Sequence, residues 1–155
     1  MLALSWVVRG QPERARAIAD ALRTSAFWST RGGRNTVAWL YLFIRGSNLQ
    51  PIIEALENAP EAARPSSHAE LHTLAALYAA AGRYREARDT IHQAAASRGH
   101  AVALDQLVIG RIAAGAGLTQ AAHRAYQAVM SDPDASEGPD SSGALARLWL
   151  AELPR

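Results

Sequence analysis

Apolar residues along this chain recur mostly at helical spacing. From His68 to Ala80, Leu71, Leu74, Ala75 and Tyr78 fall at i, i+3, i+4 and i+7, so they share one face of a helix. Ser67 followed by Glu70 predicts a capping box at the start of that helix. Gly82 predicts its end, because glycine takes the left-handed backbone conformation at little steric cost. A second helix then buries Ala87, Ile91 and Ala94. The small side chain of Ala87 lets two helix axes approach closely. The apolar run VAWLYLFI, residues 37–44, is apolar on nearly every side and predicts a central, mostly buried helix. It is far shorter than the roughly 20 residues needed to cross a bilayer.

The helix–glycine–helix pattern repeats. Gly10, Gly46, Gly82 and Gly117 are spaced by 36, 36 and 35 residues. Leu74, Ala75, Gly82, Ala87, Ile91 and Ala94 align with Ile109, Gly110, Gly117, Ala122, Tyr126 and Val129, and with Leu2, Ala3, Gly10, Ala15, Ala19 and Leu22. Four units follow, at residues 1–25, 36–60, 68–99 and 103–134, with a last helix at 143–153; together they predict one all-α domain over 1–155. The second unit deviates, since Pro51 stands where the packing alanine belongs, yet proline suits the first turn of a helix. FWSTRGGRN (27–35) predicts a loop between units one and two, and turn residues mark further connections at 59–67 and 131–143.

Residues Leu71, Leu74, Ala75, Tyr78, Gly82, Tyr84, Ala87 and Ala94, then Ile109, Gly110, Gly117, Ala122 and Tyr126, resemble the tetratricopeptide repeat. The resemblance covers 68–134 best, 1–25 less well and 36–60 poorly. It implies an α–α superhelix, a right-handed solenoid whose first helix in each pair lines a concave groove. In the third unit that face carries Ala69, His72, Ala76 and Ala79; in the fourth it carries Leu104, Leu107, Arg111 and Ala114. Trp39 and Phe43 of the second unit join them as candidate groove residues. The implied function is non-catalytic binding of a partner's peptide or helix, with Arg111 pairing a carboxylate. Against the usual repeat length the first helix lacks about six residues before Met1. The apolar terminal helices lack the polar outer face of end repeats, which points to missing neighbours or to self-association as a homo-oligomer. The alternative function is therefore a structural, self-associating segment of a larger protein. A third reading is a small-ligand or enzymatic helical domain built on the 27–35 loop.

Composition narrows these readings. The net charge is only +2 with acidic residues interspersed, which is not the electrostatic footprint of a nucleic-acid binder. All 16 basic residues are arginine, a mark of bacterial-like, GC-rich coding. Cysteine is absent, so thiolate chemistry is excluded and a reducing, cytoplasmic setting is expected. No basic n-region precedes the first apolar residues, so no signal peptide is predicted. His68 and His72 share a helix face at metal-ligand spacing, but Glu70 is displaced from the zincin position and no third ligand is evident; they read as surface histidines, with no metal. The glycines of FWSTRGGR lack phosphate-loop spacing. Arg85 and Asp89 read as an ordinary i, i+4 surface pair. No catalytic constellation and no cofactor motif emerges.

Overall fold

The computed structural model describes residues 12–99, 102–133, 138 and 141–154. Among them the chain is all-α, with eight α-helices and no strand. In order these are α1 (Pro12–Arg23), α2 (Arg31–Tyr41), α3 (Gln50–Glu57), α4 (His68–Ala80), α5 (Tyr84–Arg98), α6 (Gln106–Gly115), α7 (Thr119–Met130) and α8 (Ser142–Leu150). Short 3-10 turns at Ala26–Ser29, Glu61–Ala63 and Ala103–Asp105 join them. The parts of the first unit that include Leu2, Ala3 and Gly10 lie outside the described residues.

The third and fourth units close in the same way. Gly82 and Gly117 both have positive φ, +77° and +73°. Arg83 N–H donates to Tyr78 O at 2.8 Å, and Leu118 N–H donates to Ala113 O at 2.9 Å. Each glycine also donates three residues back, to Ala79 O and Ala114 O. This paired bonding takes up carbonyls that the helix end leaves free. At the other end of α4, Ser67 Oγ accepts from Glu70 N–H and Glu70 Oε2 accepts from Ser67 N–H, the expected capping box.

Ala87 and Ala122 are fully buried, as are Ala15, Ala94 and Val129. Helix α4 packs on α5, α6 on α7 and α7 on α8. Alternate helices also touch in series: α2 meets α4, α4 meets α6 and α6 meets α8. A size exchange preserves the packing of the fourth unit. Where the third unit has Ala75 and Ile91, the fourth has Gly110 and Tyr126. A Cβ on Gly110 would stand 2.5 Å from the Tyr126 ring, so the larger aromatic is accommodated by the missing methyl.

Residues 27–35 are not a loop. Ala26–Ser29 is a 3-10 turn, and α2 begins at Arg31 with Gly32 and Gly33 inside its first turn. Thr30 Oγ1 accepts from Gly33 N–H at 3.0 Å and so caps the helix. Gly33 is required by contact: a Cβ there would lie 1.8 Å from Phe27 O. The apolar run at 37–44 is buried, apart from a half-buried Trp39, but it is only partly helical. After Tyr41 the backbone tightens to three-residue hydrogen bonds, Leu42 to Trp39, Phe43 to Leu40 and Ile44 to Tyr41. The central buried helix is instead α4, in which every residue from Leu71 to Ala79 is buried. No helix among the described residues is long and apolar enough to cross a membrane.

Candidate functional site

Most of the expected groove residues are covered. His72, Ala76, Leu107 and Phe43 are buried, Leu104 and Trp39 are half-buried, and Arg111 alone among the seven presents a charge. Ala79 is buried too, while Ala69 stays exposed. The histidines are likewise not surface groups. His68 Nε2 donates to Asp105 Oδ1 at 3.1 Å, and His72 Nε2 donates to Leu104 O at 3.0 Å. Asp105, itself buried, also accepts from Val102 N–H at 3.0 Å. The turn before α6 is thus tied down over α4, and that turn covers the histidine face. Burial holds the His72 imidazole below its ordinary pKa, opposed by the Leu104 hydrogen bond and the Asp105 charge. Asp89 pairs with neighbouring Arg88 at 2.8 Å instead of with the expected partner Arg85.

Arg111 projects from α6 into a cavity of about 250 Å³. Leu42, Ile44, Leu49 and Leu148 give this cavity apolar walls, and Arg45, Arg111 and Glu152 give it charge. Arg111 Nη1 donates to Glu152 Oε2 at 2.9 Å, and its guanidinium carbon lies 5.1 Å from the centre of the Trp149 ring. Arg45, from the turn after α2, brings its Nε to 3.7 Å from Glu152 Oε1. Two arginines from different units therefore converge on one carboxylate. The Arg111 and Glu152 side chains are 25% and 32% exposed, so the pair stands at the boundary between protein and water. Beside it lies the buried Tyr126 hydroxyl; burial pushes its pKa up to about 12, opposed by the neighbouring Arg111 guanidinium.

No family model, curated protein or solved structure matches the chain. The site holds a carboxylate between two cations beside a hollow lined by both polar and apolar residues. Among the described residues no cluster of three or more potential metal ligands occurs.

Arg45 and Glu152 were not singled out by sequence. A signal for the second existed. Extending the 35-residue spacing once more past Gly117 lands on Glu152 (117 + 35 = 152). Gly82 and Gly117 each follow the C-cap alanines Ala81 and Ala116, and Glu152 follows the C-cap Ala151 of α8 in the same way. A glutamate thus occupies the column that Gly46, Gly82 and Gly117 fill in three other units, each with positive φ.

A second cavity, about 320 Å³, separates α5 from α6 and is lined by Ile91, Ala95, Ile109 and Ile112. Ile109 is 41% exposed there, although its counterpart Leu74 is only 8% exposed. The expected packing role of Ile109 is therefore only partly realised, whereas that of Gly110 is complete.

Proposed function

We propose that this chain is a non-catalytic protein-interaction module that binds an acidic peptide or helix of a partner protein. The reading treats the helix pairs as a tetratricopeptide-like stack, with α2, α4, α6 and α8 as the inner row. The serial contacts of those four helices and the shared turn geometry at Gly82 and Gly117 support it. One observation carries the functional part: Arg45 and Arg111 converge on a carboxylate beside a cavity large enough for an apolar side chain. Arginine suits that task because its planar fork stays charged and bonds carboxylates directionally. The groove is narrower than expected. Its floor over α4 is filled by the His72–Leu104 and His68–Asp105 contacts, so recognition centres on the Arg45–Arg111 end.

The test is affinity capture of partners followed by titration with purified variants. Arg111→Ala removes a charge-assisted contact and should weaken a true partner by about 1.5–3 kcal/mol. Arg45→Ala should weaken it less, because its ion pair is longer and its side chain is 64% exposed. Arg124→Ala, an exposed change on α7, should leave binding intact. Equal loss with Arg124→Ala, or none with Arg111→Ala, would refute the site.

A further inference from the structure

We infer that Glu152 is an internal occupant of the arginine site, and that a partner binds by replacing it with its own carboxylate. This rests on the interaction-module reading above and adds what holds the site shut. The molecule contains a contrasting pair that shows what a structural ion pair looks like here. Arg31 grips Glu70 with two nitrogens, Nε at 3.0 Å and Nη2 at 2.6 Å. Glu70 also accepts from Ser66 and Ser67, and the Arg31 bond leads in holding its carboxyl down to about 2. Glu152 is held far more loosely. It receives one hydrogen bond from Arg111, and Arg45 stands at 3.7 Å, beyond hydrogen-bond reach.

Its position also favours release. Glu152 follows the C-cap of α8 in the column where Gly82 and Gly117 make turns. Trp149, one turn earlier, is buried against Tyr126, and together with the buried Leu145 and Ala146 it anchors α8. The Glu152 side chain can therefore swing away while the helix stays packed. The space it guards has both features of the ligand: two cations for an acidic side chain, and the walls of Leu42, Ile44 and Leu49 for an apolar one nearby. The partner segment is accordingly a peptide with a carboxylate next to an aliphatic residue. An internal occupant lowers apparent affinity by the fraction of time the site is open.

The experiment uses the full chain and a labelled, N-acetylated peptide of sequence Trp-Leu-Ala-Glu-Leu-Pro, which copies residues 149–154, with binding followed by fluorescence polarisation. Glu152→Gln should bind this peptide about two- to fivefold more tightly than the parent, the range for releasing one partly solvent-exposed ion pair. Glu152→Ala should behave alike, and thermal melts of both establish that they are folded. Replacing the peptide's own glutamate by glutamine should abolish the gain, as should adding Arg111→Ala. If parent and Glu152 variants bind equally and both lose binding on Arg111→Ala, the arginine site stands and the internal occupant is refuted. If the Glu152 variants do not bind, or bind without needing Arg111, both readings fall.

Discussion

Gly32 and Gly33 are neighbours in the first turn of α2, and alanine at each should move stability in opposite directions. At Gly32 an added Cβ meets nothing within 4 Å. Alanine there restricts the unfolded chain without strain in the folded one, a gain of about 0.4–1 kcal/mol. At Gly33 the same atom would lie 1.8 Å from Phe27 O, 2.7 Å from Phe27 C and 2.7 Å from Thr30 Oγ1. Two of those atoms are backbone and cannot rotate aside, so the turn at Ala26–Ser29 must separate from α2. The bond from Gly33 N–H to Thr30 Oγ1 then lengthens or breaks, and losing a cap of this kind costs about 0.5–2 kcal/mol. Displaced backbone contacts raise the total, and overpacking adds about 1–3 kcal/mol. The helix-propensity gain of roughly 1 kcal/mol offsets part of it. The expected result is a net loss of about 2–3 kcal/mol for Gly33→Ala. Urea unfolding followed by circular dichroism at 222 nm measures both variants against the parent. If the two substitutions shift the midpoint in the same direction, Gly33 is not in contact with the Phe27 carbonyl and residues 27–35 are the flexible loop their glycines suggested.

Two further outcomes follow from the packing. Ala87→Leu and Ala122→Leu each place extra methylenes at fully buried helix contacts and should each cost about 1–3 kcal/mol by the same unfolding assay; an unchanged midpoint in both would show that the repeat alignment is wrong. Stability should also fall on acidification through His72. Its folded pKa lies below the ordinary 6.5, so the unfolded chain takes up the proton first. The contribution is present above that value and is lost as pH falls toward the lower folded pKa. Urea midpoints at pH 7.5 and 5.5 should differ more for the parent than for His72→Gln, and an equal pH dependence would place His72 in water. Asp105 and His68 face the same ring, and they are kept unchanged in both proteins.

Local chemistry made much of the fold legible. Ser67 and Glu70 form a cap from residues three apart, and Gly82 and Gly117 close turns whose bonds span five residues. Such features depend on neighbours in the chain, and the sequence carries them whole. Periodicity also located the buried alanines. The covering of the α4 face that carries His72 and Ala76 is not legible in the sequence, for the opposite reason. Spacing tells which residues share a face, but not whether another segment covers it. Here the turn ending at Asp105 does so, bonded to histidines 37 and 32 residues earlier. Gly33 misled in a related way: glycine marks either a flexible backbone or a close approach, and only the position of Phe27 O distinguishes them.

The columns of the repeat sort these signals further. Where units agree, as at Ala87 with Ala122 or Gly82 with Gly117, the residue answers to packing or backbone geometry. Where they differ in compensating pairs, as Ala75 and Ile91 differ from Gly110 and Tyr126, packing is conserved by other means. The remaining differences have no such partner. A glutamate in the glycine column cannot be explained by the turn, because its side chain extends to arginines in two other units, 41 and 107 positions away (152 − 111 and 152 − 45). Burial does not force that meeting, since the Glu152 and Arg45 side chains remain partly in water. An ion pair so exposed contributes about 0–1 kcal/mol to folding, too little to account for three charged residues drawn from three units to one cavity. On the reading proposed above, the convergence serves recognition of a carboxylate, and Arg111 takes its meaning from Arg45 and Glu152 beside it.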